Sequence, residues 1–170
     1  MEEVILVNEE DKAIGVMEKL EAHKKGLLHR AFSIFIFNSS NELLLQQRAL
    51  HKYHSAGLWT NTCCSHPKPE EEIGKAAQRR LREEMAIECK LTPAFTFIYK
   101  VGFDNGLTEH EYDHVFVGLT DDFPEINKEE AEAWKYMSLA KIKEDIARHP
   151  DNYTEWFKLS YERVFKALNI

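Results

Sequence analysis

The sequence predicts a mixed α/β (α+β) domain, a mixed β-sheet core flanked by helices. Three observations carry that expectation. Runs rich in β-branched and aromatic residues recur without helical period, one long stretch repeats its apolar residues every four positions, and turn formers separate the two kinds of segment. With 170 residues, 44% of them hydrophobic and 30% charged, the chain has the composition of a single globular domain spanning 1–170.

Each element follows in order. "RAFSIFIF" (30–37) reads as a buried strand, "NSSNE" as a turn and "LLLQQR" (43–48) as the returning strand. "ALHKYHSAGLWTNTCCSHPKP" is loop with short extended pieces, and so long a loop inside a small domain points to function. From Glu70 to Ile87 the apolar residues Ile73, Ala77, Leu81 and Met85 define one face of an amphipathic helix, with Glu70, Glu71 and Glu72 expected in its first turn. Strands are expected through 94–103 and 111–119, joined by a turn around Asp104, Asn105 and Gly106. "AWKYMSL" (133–139) reads as a strand leading into the helix "AKIKEDIARH". Asn152 with Glu155 reads as a capping box opening a last helix, with Trp156, Leu159, Phe165 and Leu168 among its apolar positions. Three helices are expected in all.

Charge and composition narrow the function. The net charge of −7 disfavours nucleic acid, so an anionic small molecule would need local cations or a metal to overcome the field. The opening "MEEVILVNEEDK" is acidic and lacks the basic region of a secretory signal, and no apolar run approaches the roughly 20 residues that span a bilayer. A cytoplasmic protein with no membrane partner is expected. Three cysteines, two of them adjacent, make no disulfide framework and are read as reduced thiols.

Four groupings can carry chemistry. If "CCSHP" is extended, Cys64 and His66 share one face while Cys63 and Ser65 point to the other, so alternation ties Cys64 to whatever His66 does. Taken alone, a buried cysteine is more often a small core residue than a reagent. In "TEHEYDH" (108–114) Glu109 and Glu111 share a strand face with His110 opposite, which suits a cation, a shared proton or simply a solvated edge. His23 and His29, as neutral imidazoles beside carboxylates, suit a divalent metal such as Mn²⁺, Zn²⁺ or Fe²⁺, although their spacing matches no metal motif. His51, His54, His114 and His149 are assigned to surface or structural roles. Lys19, Arg48, Lys52 and Arg80 form a basic set able to clamp phosphate oxygens.

Together, "HRAFSIFIFN", "LLLQQRAL", "GLWTNTCCSHP", "RRLREEM" and "TEHEYDHVF" stand in the order and spacing of the type I isopentenyl-diphosphate isomerases, which the chain resembles over nearly its whole length. The helix after "GLWTNTCCSHP" is similar to that of the wider Nudix superfamily. Glu71, Arg79, Glu83 and Glu84 fit its motif; Ser65 replaces the first Gly, Arg80 replaces a Glu, and Ala86 replaces the final Gly. A cation at position 80 weakens the metal site that hydrolases of this fold use to cleave diphosphates, and the isomerases share that departure. Ala86 would cost about 1 kcal/mol if the backbone there needs positive φ.

The resemblance implies a single Nudix-like isomerase domain that interconverts isopentenyl and dimethylallyl diphosphate through a carbocation-like intermediate in isoprenoid biosynthesis. It implies one protein-bound divalent metal (Mn²⁺, Mg²⁺ or Zn²⁺) on His23, His29, His66, Glu109 and Glu111, and a substrate-associated Mg²⁺ touched by Glu84. Diphosphate contacts fall on Lys19, Arg48, Lys52 and Arg80, and Trp156 matches the aromatic over the hydrocarbon tail. Cys64 and Glu111, with Tyr99 beside Glu111, are the implied proton-transfer groups. Glu111 with Tyr99 is expected to serve the terminal methylene, and Cys64 the allylic carbon as a thiolate whose pKa nearby cations lower. A monomer or weak homodimer is expected, with a small-molecule prenyl diphosphate as its partner. The competing readings are a Nudix-type diphosphate hydrolase and a catalytically silent metal- or diphosphate-binding module.

Overall fold

The computed structural model describes residues 1–170. Its centre is the strand β3 (His29–Phe37), whose run of bulky apolar residues is buried on both faces. Alternation sends Phe32, Ile34 and Ile36 to one side and Phe35 and Phe37 to the other. Each fully buried Phe or Ile there contributes about 1.5–3 kcal/mol, which makes this strand a strong organiser of the core.

The preceding segment is a hairpin of β1 (Glu3–Val7) and β2 (Ala13–Glu18), followed by the short helix α1 (Lys19–Lys25). The Glu18 side chain caps α1 by accepting from the backbone N–H groups of Leu20 and Glu21, and Gly26 ends it at φ 63°, where a side chain would be strained. Next come β4 (Leu43–Arg48), β5 (Trp59–Thr60), β6 (Cys63–Ser65) and the helix α2 (Ile73–Met85). The long hairpin of β7 (Thr92–Gly102) and β8 (Thr108–Leu119) follows, then β9 (Ala131–Met137), α3 (Leu139–Arg148), a 3₁₀ turn (Pro150–Asn152) and α4 (Glu155–Ala167).

All nine strands belong to one mixed sheet. Along one edge β3 runs parallel to β8, from His29 opposite Glu111 to Phe37 opposite Leu119. Its other edge is shared by β1 at Leu6, by β6 at positions 63–65, and by β4 at Leu43. Helix α2 packs Ala76, Ala77, Leu81 and Met85 on the Phe32 side, while α3 and α4 pack Ile142, Phe157, Tyr161, Val164 and Phe165 on the Phe35 side. No helix is long and apolar enough to cross a membrane.

The expected mixed sheet with flanking helices is what forms, with differences of detail. A fourth helix, α1, precedes the three expected, and the β1–β2 hairpin adds two strands. Glu70, Glu71 and Glu72 lie ahead of α2 instead of in its first turn; Glu72 caps it by accepting from Gly74 and Lys75, and Glu71 binds the Arg79 guanidinium through two contacts of 2.7 and 2.8 Å. Asn152 caps nothing: Thr154 is the residue ahead of α4, without a side-chain cap, and Glu155 is the first helical residue. Leu159 is exposed, because the buried face of α4 is Trp156, Phe157, Ser160, Tyr161, Val164 and Phe165.

Ala86 ends α2 in the left-handed region at φ 52° and ψ 35°, the conformation that favours glycine. Ala86→Gly is therefore expected to raise the unfolding free energy by about 1 kcal/mol, allowing for the greater entropy of glycine in the unfolded chain. Urea unfolding should show a higher midpoint at unchanged slope.

Candidate active site

The register of the sheet sets one row of polar side chains side by side. Tyr99 pairs with Glu111 across β7–β8, and Glu111 pairs with His29 across β8–β3, so all three project from the same face. On the other edge of β3, Cys64 lies opposite Ser33. Helix α1 brings His23 over this row, and His66 follows β6. One donor atom from each of His23, His29, His66 and Glu111 falls within 4.8 Å of the others.

This donor set fits a divalent cation. His29 Nδ1 lies 2.8 Å from the Leu27 carbonyl, to which it must donate, and this leaves the Nε2 lone pair facing the cluster. His23 Nδ1 is 2.9 Å from the Tyr53 hydroxyl and its Nε2 is 3.3 Å from that of His29. Burial, reinforced by the neighbouring imidazoles His66 and His29, pushes the His23 pKa down to about 3, which keeps it a neutral ligand. Glu111 Oε1 stands 3.1 Å from His66 Nε2 and 3.6 Å from His29 Nε2. Burial opposes ionisation of Glu111, but the bonds and charge of His29 and His66 outweigh it and hold the carboxyl well below the usual range. Glu109 stands outside this group of four: its Oε1 is 3.1 Å from His54 Nε2 and its Oε2 accepts from the Tyr99 hydroxyl at 3.2 Å.

His54, expected in a surface or structural role, has the structural one. It is a buried residue, stacked on Phe103 with centroids 4.5 Å apart and set edge-on to Trp156. Tyr53 likewise braces His23. Neither carries a sequence signal, since a lone aromatic or histidine in a polar loop has no periodicity to mark it. His114 does have a structural role, pairing with Asp11 at 2.8 Å, and His51 and His149 are exposed.

Tyr99 donates to Glu111 Oε2 at 2.6 Å. The adjacent cysteines separate by face as alternation requires: Cys63 is fully buried in the core beside α2, whereas Cys64 lines the cavity. The Cys64 thiol donates to Asn61 Oδ1 at 3.0 Å and lies 3.7 Å from Ser33 Oγ, which itself donates to the buried Asp113 at 2.6 Å. The expected lowering of the Cys64 pKa is reversed. Burial, and then the charge of Asp113, push the thiol up, while Glu111 in the same cavity is held low.

These groups open into a cavity of about 550 Å³ that also receives Lys19, Arg48, Lys52, Arg80, Glu84 and Trp156. Most of its cations are matched by carboxylates. Lys19 is 2.5 Å from Glu2, Lys52 pairs with Glu130, and Arg80 sits among Glu84 (2.5 Å), Glu83 (2.7 Å) and Glu130 (2.9 Å). Arg48 lies over the Trp156 ring at 5.3 Å and donates to the His54 carbonyl. Three buried donors, Arg48 Nε, Arg80 Nε and Trp156 Nε1, have no protein partner. Unmet donors of this kind each cost about 1–3 kcal/mol, which suits a place built for an anion. Glu2 and Glu130 were not singled out in the sequence, because an acidic residue among twenty-nine carries no mark of its distant partner.

A family model described as NUDIX domain matches residues 27–157. The isopentenyl-diphosphate Delta-isomerase of Pectobacterium atrosepticum is 56% identical over 162 residues, covering 95% of this chain and 90% of that protein. Isopentenyl-diphosphate Delta-isomerase 1 of Aromatoleum aromaticum is 53% identical, covering 96% of this chain and 92% of that protein. Among solved structures, DR0079 from Deinococcus radiodurans superposes with a TM-score of 0.76 at 18% identity, covering 93% of this chain and 96% of that one. The MutT protein from Methanosarcina mazei gives 0.68 at 20% identity, covering 84% and 95%. These two show the fold alone.

A cation at the histidine cluster is expected to survive purification. Elemental analysis should find one transition metal per chain, lost in His29→Ala and after a tight chelator, and Mg²⁺ alone should not restore the activity lost with it. Full activity in demonstrably metal-free protein would refute the site.

Proposed function

The chain belongs to the NUDIX family, among the isopentenyl-diphosphate Delta-isomerases, and on that premise we propose that it interconverts isopentenyl and dimethylallyl diphosphate by protonation and deprotonation through a carbocation-like intermediate. One observation carries the reading: the Cys64 thiol and the Tyr99-bound Glu111 carboxylate open into the same cavity as Lys19, Arg48, Lys52 and Arg80.

An unactivated alkene is a poor base, so moving its double bond demands a placed acid, a placed base and the exclusion of water from the cation between them. Cys64 and Glu111 are the two proton-transfer groups. One of the two gives a proton to the terminal methylene and the other takes one from the allylic carbon, and their roles exchange when the reaction runs in the opposite direction. Tyr99 orients Glu111 through its hydrogen bond, and Asn61 and Ser33 orient the sulfur.

The diphosphate is held by Lys19, Arg48, Lys52 and Arg80, with Glu2 yielding Lys19 to it. Trp156 covers the hydrocarbon tail, and its indole face contributes about 0.5–2 kcal/mol of cation–π stabilisation as charge develops. His23, His29, His66 and Glu111, with Glu109 alongside, would hold the divalent metal. When bound, it supplies a fixed positive charge beside Glu111. Glu84 would touch the substrate-associated Mg²⁺.

The hydrolase reading needs the carboxylates of α2 free to load metal. Arg80 speaks against it by standing where the family helix carries a metal-loading carboxylate and by engaging Glu83.

Incubation with isopentenyl diphosphate and Mg²⁺ in D₂O should yield dimethylallyl diphosphate carrying deuterium. Release of phosphate, or unchanged substrate, would sink the proposal. Cys64→Ala should lower turnover by at least about a thousandfold, whereas Cys63→Ser should keep turnover within about threefold while costing about 1–3 kcal/mol of stability, because the new hydroxyl is buried in the core. Equal damage from both variants would refute the division of the two thiols by face.

A further inference from the structure

The cavity cations include a pair joined by a residue with no assigned role. Glu130 immediately precedes β9, where Ala131 pairs with Arg48. Its backbone is fixed on two sides. The Glu130 carbonyl accepts from Ala49 N at 3.1 Å, and its N–H donates to the Asn127 carbonyl at 2.9 Å; Asn127 N in turn donates to the Glu84 carbonyl at 2.9 Å. The carboxylate is therefore delivered from a loop anchored to both the end of α2 and the segment that carries Lys52. One of its oxygens binds Lys52 Nζ, and the other accepts from Arg80 Nη2 at 2.9 Å.

Resting on the function proposed above, we propose that Glu130 is a positioning residue that holds Lys52 and Arg80 together as one clamp for the substrate's diphosphate. Two cations sharing a small, half-buried site repel each other, and a lysine head on a four-carbon stem has no geometry of its own. A carboxylate bridging both fixes their separation before the ligand arrives, so less ordering remains to oppose binding. Glu130 engages Arg80 through Nη2 and leaves the buried Nε of that guanidinium without a protein partner. The Glu130 carboxylate bonds to Lys52 and Arg80 and makes no hydrogen bond to Tyr99, Glu111 or His29, so its effect falls on binding and spares the proton transfers.

Glu130→Gln preserves shape and removes the charge. We expect the KM for isopentenyl diphosphate to rise about tenfold with kcat within about twofold, and the Kd for inorganic diphosphate, measured by calorimetry, to rise by the same factor. In a Lys52→Met background the same substitution should weaken inorganic diphosphate binding by less than about threefold, since the bridge has already lost one end. A purely structural ion pair would instead lower the melting temperature and leave KM and Kd unchanged. That outcome, a tighter Kd in Glu130→Gln, or an undiminished effect in the Lys52→Met background would overturn the proposal. The binding arm is independent of turnover. Glu130-dependent binding of inorganic diphosphate by a chain that does not convert isopentenyl diphosphate would uphold the clamp and overturn the reaction assigned to it.

Discussion

The parallel pairing of β3 with β8 is the constraint on which the rest of the molecule depends. Its register sets His29 beside Glu111, and a slip of one residue would turn Glu109, Glu111 and Asp113 to the face covered by α2. The register is held because β3 is buried on both faces, so any slip would misplace Phe35 and Phe37 as well as the polar row. Packing energy and site geometry are thus enforced by the same strand. Helix α1, β6 and the loop around Tyr53 need only dock against a row already in place.

Charge is handled by the same economy. The chain carries a net charge of −7, yet six Lys and Arg side chains line its cavity, four of them the set Lys19, Arg48, Lys52 and Arg80. Three are balanced at once by carboxylates, Lys19 by Glu2, Lys52 by Glu130, and Arg80 by Glu83, Glu84 and Glu130. Arg48 leans on an indole face. The substitution that removes a carboxylate from the family helix puts a guanidinium among the carboxylates that remain. Neutralising that cluster, instead of deleting it, keeps the helix capable of meeting a diphosphate.

What could be read in the sequence was what periodicity encodes. β3 is a continuous apolar run, α2 repeats every fourth residue, and the parity of "CCSHP" separates Cys64 from Cys63 because strand alternation is geometric. The seven residues of α1 bury only Ala22 and His23, too few to leave a helical stripe, and β2 is largely exposed. His54 could be placed only as surface or structural for the same reason: nothing local distinguishes a histidine that will stack on Phe103 from one left in water. Asn152 with Glu155 has the spacing of a capping box, but the Pro150 turn shifts the start of α4 to Glu155. The direction of the Cys64 pKa shift differs from the expected one because burial, and then the charge of Asp113, outweigh the hydrogen bonds of Ser33 and Asn61.

The β3–β8 pairing also bears on how the chain reaches its native state. Its two strands are separated by β4, β5, β6, α2 and β7, so joining them closes one of the longest loops in the molecule, and parallel pairs of this kind are intrinsically slow to form. The β1–β2 and β7–β8 hairpins can close locally in microseconds, well before that event. None of those early structures unites His29 with Glu111. Competence to bind and react therefore arrives only with the late, cooperative closure of the sheet, and partly folded forms of the chain carry none of it.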